Sequence, residues 1–162
     1  MPIDESQFEY VGFWSRVFAS LVDTVLLCFL LYPLLTLIYG REYWTDPRLV
    51  QGPLDVLVQW VLPAVAVVAF WLARQATPGK MVIHARIVDA DTGAALGRAQ
   101  AIRLYLGYYV SLFGLGLGFF WVGWDKRKQG WHDKIARTVV IRPRRPVPQA
   151  ADTAVSPPRP RS

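Results

Sequence analysis

Two long runs of the chain carry almost no charge, and they constrain the fold more than any other feature. Residues 17–39 contain one ionisable carboxylate, Asp23, and no Lys, Arg or His, and residues 56–73 contain no charge at all. A bilayer core about 30 Å thick needs roughly 20 apolar residues in helical conformation. A soluble protein could bury two such helices only inside a chain much longer than these 162 residues. The two runs therefore predict two membrane-spanning helices.

The boundaries of the segments follow from turn residues and charges. We predict an all-α membrane protein with a polar lead over residues 1–12, one domain over 13–142, and a disordered tail rich in Pro and Arg over 143–162. The first apolar run is expected to be retained rather than cleaved, because the flank before it lacks Lys and Arg up to Ser15 and the run exceeds a signal-peptide core. Helices are expected at about 13–39, 54–74 and 104–124.

The third apolar run, residues 104–124, contains five glycines and lies between two basic regions, 74–103 and 126–161. Lys and Arg concentrate in cytoplasmic loops. A single crossing would put the second basic region outside, whereas a bend at the glycines, or an interfacial helix, keeps both regions and both termini in the cytoplasm. Two β-rich stretches, 81–88 and 138–141, can pair only on the same side. We therefore favour a re-entrant or interfacial segment over a spanning one, with a small cytoplasmic β-hairpin-like element.

Asp23 is the strongest candidate for a functional residue, because a carboxylate inside a spanning helix costs about 2.5–3.5 kcal/mol on insertion scales. Two interpretations remain open: a proton or cation site, and a buried ion pair that fixes helix packing. Arg16 and Ser20 share the helical stripe of Asp23, but Arg16 lies two turns away, roughly 10 Å along the axis. Each charge therefore needs a partner elsewhere. Arg103 is one candidate partner of Asp23, and Asp133 is one candidate partner of Arg16.

The neighbouring His132 and Asp133 raise the question of acid–base or metal chemistry. A metal site needs three or four ligands, and the other candidates are His84 and the apolar-run residue Cys28. No Ser or Cys stands in a recognised nucleophile motif. We therefore expect a chain that is not an enzyme and that holds no metal or cofactor. His132 and Asp133 are expected to order the basic turn beneath the helices, and Asp125 is a supporting candidate at the start of that turn.

Three separate stretches carry a family resemblance. They are GFWSRVFASLVD at 12–23, TPGK at 77–80 with RIVD at 86–89, and DKRKQGWHDK at 125–134. In order and spacing they resemble the RDD family of bacterial and archaeal membrane proteins, whose name records an arginine and two aspartates. The resemblance covers about 12–142 and implies that Arg16, Asp23 and Asp133 are the name-giving residues. One departure is Arg137, where a small residue, often Gly, is expected.

The resemblance implies a membrane protein whose molecular role is poorly defined, although transport, including cation/proton exchange, has been proposed for the family. The first hypothesis is a small transporter or cation/proton exchanger of the cell (inner) membrane, in which Asp23 binds the cation and Arg16 and Asp133 assist. So few helices would then require a homo-oligomer or a partner. The second hypothesis is a non-transporting membrane adaptor or scaffold, whose charges are structural and whose basic inner face binds anionic lipid headgroups or a protein. No nucleic-acid partner is expected.

Overall fold

The computed structural model describes residues 5–114 and 116–144. The first apolar run forms one continuous helix, α1 (Phe13–Tyr39), which includes Pro33. Most of its large apolar side chains point away from the rest of the chain; Phe29 is 82% exposed and Leu37 is 83% exposed. A helix with so much exposed apolar surface is typical of contact with lipid. It is long and apolar enough to cross a membrane, as predicted.

The second apolar run forms α2 (Pro53–Val56), a π-helical turn (Leu57–Val61) and α3 (Leu62–Arg74). Pro53 occupies the first turn, where a missing N–H costs nothing. The π-helical turn ends two residues before Pro63, which has no backbone N–H to donate to the helical ladder. With the short helix α4 (Pro78–Val82), residues Pro53–Val82 make the second segment that is long and apolar enough to span a membrane.

The third run is broken into two helical pieces. Helix α5 (Arg98–Phe113) is followed by α6 (Leu117–Phe120) and a 3-10 turn (Trp121–Gly123). The direction of the chain changes by 112° between the two helical pieces. Gly116 has a φ of +75°, a left-handed conformation that glycine adopts without penalty. The bend that the glycines predicted is present, and it divides the helical segment predicted at about 104–124 into two pieces. Its start is also earlier, because Gln100 accepts a hydrogen bond from the Gly97 N–H and caps the helix there.

A three-stranded antiparallel sheet lies beside the helices, with the strand order β1-β3-β2. Its strands are β1 (Phe8–Tyr10), β2 (Arg86–Asp89) and β3 (Thr138–Pro143). Strand β3 pairs with β2 at Val88↔Val139 and with β1 at Phe8↔Pro143. The predicted pairing between the two β-rich stretches is therefore confirmed, but in a three-stranded sheet rather than a hairpin.

Three predicted boundaries are corrected by this sheet. The first two residues of the stretch 81–88 belong to α4, because Thr77 and Pro78 start a helix there, and the strand begins only at Arg86. The polar lead 1–12 contributes β1, and the tail predicted from residue 143 begins while the chain is still paired, since the Arg144 N–H donates to the Gln7 carbonyl at 2.8 Å. The rest of the predicted tail, residues 145–162, lies outside the described residues.

The largest buried cluster joins the sheet to α3, α5 and α7 (Trp131–Ala136). Helices α5 and α7 approach each other closely at Gly107, where a Cβ atom would lie 2.9 Å from the Cα of His132. This contact holds the closing motif against the bent third segment. The cluster consists of Val11, Trp71, Ala85, Ile87, Leu96, Ala101, Leu104, Ala136 and Val140.

Candidate functional site

Arg16 lies in the first turn of α1, and its guanidinium makes three polar contacts. Nη1 donates to Asp133 Oδ2 at 2.6 Å, Nη2 donates to the Lys128 carbonyl at 2.7 Å, and Nε donates to the Val11 carbonyl at 3.1 Å. The Arg16 side chain is 11% exposed and that of Asp133 is 2% exposed. The predicted pairing of Arg16 with Asp133 is therefore confirmed, and it ties the start of the first helix to the closing motif.

Asp133 is held in place by further donors. Its Oδ2 accepts a hydrogen bond from the Gly130 N–H at 3.0 Å, and its Oδ1 accepts one from the Thr138 hydroxyl at 3.4 Å. Burial alone would raise the pKa of Asp133, but the positive charge of Arg16 and these hydrogen bonds hold that pKa below its usual value. Asp133 is therefore ionised at neutral pH and serves as the counter-ion of Arg16.

Asp23 joins α1 to the start of α4. Its Oδ2 accepts a hydrogen bond from the Thr77 hydroxyl at 2.5 Å, and its Oδ1 accepts one from the Gly79 N–H at 2.6 Å. A carboxylate beside the first N–H groups of a helix is favourable, because those groups lack partners within the helix. Gly79 permits this approach: a Cβ atom there would lie 2.9 Å from the carbonyl carbon of Ala19 and 2.9 Å from Cγ of Asp23.

The predicted pairing of Asp23 with Arg103 is wrong. Arg103 is exposed on α5, and its Nε donates to the carbonyl of Ala99, one turn back on its own helix, at 3.3 Å. Within residues 5–114 and 116–144, Asp23 forms no ion pair with Lys, Arg or His. A hydroxyl and a backbone N–H satisfy this carboxylate instead of a cation.

These contacts connect the opening, middle and closing motifs of the sequence. The model of the RDD family matches residues 10–137, a range that contains Arg16, Asp23 and Asp133. The chain belongs to the RDD family. It is also similar to an uncharacterized protein of Rickettsia prowazekii (strain Madrid E), with 35% identity over 75 residues, which cover 46% of this chain and 41% of that protein. The chain thus aligns with about two fifths of that relative's length. No solved structure matches it significantly.

His132 of this RDD protein is buried among aromatic rings. Its ring stacks on Tyr108 with the centroids 4.2 Å apart, and the ring of Phe119 is 5.2 Å away. Nδ1 is in hydrogen-bonding contact with the Ser111 hydroxyl at 3.1 Å. Burial lowers the pKa of His132 to about 4, so the imidazole is neutral at neutral pH. His132 thus packs between helices rather than acting as a charged partner of Asp133.

We expect the stability of the protein to fall as the pH drops from about 6.5 to about 4, because the folded protein must keep His132 neutral while the unfolded chain protonates it. A histidine whose pKa is lower in the folded than in the unfolded state costs no stability above the unfolded pKa, and the cost appears as the pH falls toward the folded pKa. By about pH 4 the loss of folding free energy is roughly 2–3 kcal/mol. Apparent Tm in detergent against pH measures it. His132→Gln should flatten this pH dependence, whereas His84→Asn, at an exposed histidine, should leave it unchanged. Parallel pH profiles for wild type and His132→Gln would refute the assignment.

Asp125 orders the basic turn. Its Oδ1 accepts a hydrogen bond from Lys134 Nζ at 2.5 Å, and its Oδ2 accepts from the N–H groups of Arg127 and Gln129 at 3.1 Å each. Burial alone would raise the pKa of Asp125, but Lys134 and the backbone donors hold it below its usual value. The turn that carries the Lys128 carbonyl to Arg16 is thereby fixed.

Two adjoining cavities lie beside the motif residues. One of about 380 Å³ is lined by Asp23, Trp71 and Thr77, and a second of about 510 Å³ is lined by Arg16 and His132. In the described ranges, no group of three or more His, Cys, Asp or Glu side chains is arranged to hold a metal. Both cavities are lined by Ser20, Thr24, Lys80, Tyr108 and Phe119.

Lys80 is one residue that sequence reasoning missed. Its side chain lines both cavities although the residue is only 7% exposed. The available signal was its place in the Thr-Pro-Gly-Lys motif. In the structure Gly79 packs against Ala19 of α1, so the lysine that follows it also lies near that helix. A lysine in a polar segment is usually assigned to the solvent, so this prediction was not made.

Asp55 was missed as well. It is fully buried at the start of the second apolar run and accepts hydrogen bonds from the Tyr43 hydroxyl at 2.6 Å, the Gln51 N–H at 2.9 Å and Gln59 Nε2 at 2.9 Å. Burial and the nearby carboxylate raise the pKa of Tyr43 to about 12. A lone acid beside a charge-free run was the available signal. This network closes the loop between the first two apolar segments.

Proposed function

We propose that this protein is a non-transporting membrane adaptor or scaffold, in which the family charges hold the fold together and a basic face engages anionic lipid headgroups. The observation that carries the proposal is the environment of Asp23, whose two oxygens accept hydrogen bonds from Thr77 and Gly79. Arg16 and Asp133 satisfy each other in the same way. Charges that are used to join segments are not free to bind a transported ion.

The basic face supports the lipid part of the proposal. Residues 74–103 and 125–144 contain twelve Lys and Arg against four Asp, whereas residues 40–52, between the first two apolar segments, contain two of each sign. The single sheet formed by β1, β2 and β3 supports an arrangement in which the residues on both sides of the bent segment 98–123 lie on the same side of the membrane. In the proposed arrangement this side faces the cytoplasm of a cell membrane; the excess of Lys and Arg supports that orientation, and anionic headgroups attract such a face.

Cation/proton exchange is the second candidate, and one observation favours it. Asp23 lines the cavity of about 380 Å³ together with Lys80 and Tyr109, so a small ion could reach its carboxylate from that space. Two long apolar segments make a thin wall for a pathway, so exchange requires association of several copies of the chain. In the adaptor proposal the same carboxylate contributes stability and no flux.

Asp23→Asn separates the two candidates. An amide keeps the shape of the carboxylate but presents an N–H₂ group to one of the two donors, so we expect a loss of about 1–3 kcal/mol in folding free energy. For the adaptor, pH-sensitive dyes inside proteoliposomes should report no cation-driven proton flux for wild type or variant, while the variant has a lower Tm in detergent. Asp91→Asn, at an exposed loop residue, is the matched control and should leave Tm unchanged.

The opposite result would reject the adaptor. Exchange by wild type that is lost in folded Asp23→Asn, and retained in Asp91→Asn, would establish transport through Asp23. Exchange of equal size in wild type and Asp23→Asn would reject both the adaptor and the Asp23 mechanism.

A further inference from the structure

Lys80 is a largely buried lysine that lines both cavities, and the described part of the chain provides no counter-ion for it. The residue is only 7% exposed, and no ion pair links it to Asp23, Asp133 or any other described carboxylate. Its position is fixed because the preceding residue, Gly79, is held by Asp23. Burying a cation without a partner is costly, so such a group indicates that something anionic belongs beside it.

The larger cavity is the place for that anion. It has a volume of about 510 Å³, within the usual range for ligand pockets. Arg16 and Lys80 both line it, and Ser20 and Thr24 place hydroxyl-bearing side chains on the same wall. Asp23 lines the smaller cavity instead, where its negative charge opposes an anion. The electrostatics therefore favour the larger cavity.

The remaining walls of this cavity are apolar, and they distinguish an amphiphile from a free ion. Phe13, Val17 and Phe119 line it, together with Leu21 and Phe120, which are 59% and 52% exposed on the outside of the helices. A free phosphate ion gains nothing from such a surface. A lipid can place its headgroup at the cations and its chains along the exposed apolar side chains.

We propose that Lys80 binds the phosphate of an anionic phospholipid, which enters the larger cavity from the bilayer beside α1 and α6. The proposal deepens the proposed function by naming one lipid site, and it rests on that function only for the binding of anionic lipid. An ammonium group is well suited to a phosphate oxygen, because the hydrogen bond between them is charge-assisted. Arg16 adds positive potential while it stays paired with Asp133.

Short-chain lipid titration of the purified protein tests the site. The probes are dioctanoyl phosphatidylglycerol, dioctanoylglycerol without a phosphate, and inorganic phosphate, and the readouts are the rise in Tm and bound lipid by native mass spectrometry. Wild type should bind phosphatidylglycerol and neither of the other probes. Lys80→Met should weaken that binding at least about tenfold, the loss expected for one charge-assisted contact. Lys80→Arg should retain binding.

Two controls keep the result interpretable. Arg86→Gln removes an exposed cation from β2 and should change the affinity less than about twofold, because exposed charges contribute little individually. The lipid-free Tm of Lys80→Met should equal or exceed that of wild type, because an apolar side chain replaces a largely buried lysine that has no counter-ion in the described part of the chain. A purely structural role for Lys80 would instead lower the lipid-free Tm.

The outcomes separate this site from the general proposal. Equal phosphatidylglycerol binding by wild type and Lys80→Met, with weaker binding by Arg86→Gln, would overturn the Lys80 site and leave lipid binding to the basic face intact. Equal stabilisation by inorganic phosphate and by phosphatidylglycerol would overturn the assignment to a lipid in favour of the free ion. No phosphatidylglycerol binding by wild type would overturn both the site and the lipid-binding part of the proposed function.

Discussion

Asp133→Ala is expected to destabilise the protein by about 3–5 kcal/mol, which is the cost of breaking a buried ion pair from one side. The substitution leaves the Arg16 guanidinium without its counter-ion in a site where the arginine side chain is 11% exposed. It also leaves the Gly130 N–H, which donates to Asp133 Oδ2 at 3.0 Å, without its acceptor. Tm and denaturant unfolding in detergent measure the loss.

A double-mutant cycle with Arg16→Met identifies the cause. If the ion pair carries the effect, the double variant should be clearly more stable than the sum of the two single losses predicts. Asp46→Ala, which removes the partner of the exposed Arg48, is the control and should have little measurable effect. Additive losses at Arg16 and Asp133 would show that the two side chains act independently and would contradict the assignment.

Gly79→Ala is expected to cost about 3 kcal/mol or more, because overpacking and the loss of a buried hydrogen bond act together. The new methyl group would lie 2.9 Å from the Ala19 carbonyl carbon, so α1 and α4 must separate. That separation removes the hydrogen bond from Gly79 to Asp23. Folded yield and Tm in detergent are the measurements.

Gly123→Ala is the matched control for this prediction. A Cβ atom at Gly123 has nothing within 4 Å, and its φ is not positive, so the substitution should leave Tm nearly unchanged. If Gly79→Ala melts at the temperature of wild type, the close contact between α1 and α4 is not essential to the fold. The Asp23 hydrogen bonds would then have to form in a different way.

The features that sequence reasoning found are those set by hydrophobicity and by charge pairing. The charge-free runs located both long apolar segments, and the glycines located the bend near Gly116. The partner of Arg16 was found because an opposite charge stood in a separate motif. The partners of Asp23 were missed because a backbone N–H, such as that of Gly79, leaves no mark of its own in a sequence, and Arg103 was assigned on charge alone.

Short elements were the other failure, and the reason is physical. Strand β1 has three residues, too few for an alternating pattern to be recognised. Residues 81–83 are β-rich in composition, yet Pro78 starts a helix that includes two of them. Arg137 stands where the resemblance led us to expect a small residue, often glycine. The structure explains that expectation, because residue 137 caps the C-terminus of α7 with a φ of 53°, a left-handed conformation that glycine adopts most easily.

The position of β3 in the sheet imposes an order on biosynthesis. Strands β1 and β2 each pair with β3 and not with each other, and β3 is the last described strand to leave the ribosome. Arg16 likewise waits for Asp133 until the closing motif has been made. The two long apolar segments can enter the bilayer before any of this is available. Membrane insertion and the pairing of distant segments are thus separate stages. The nascent chain must hold Arg16 at the membrane surface without its counter-ion until Asp133, 117 residues later, has been made.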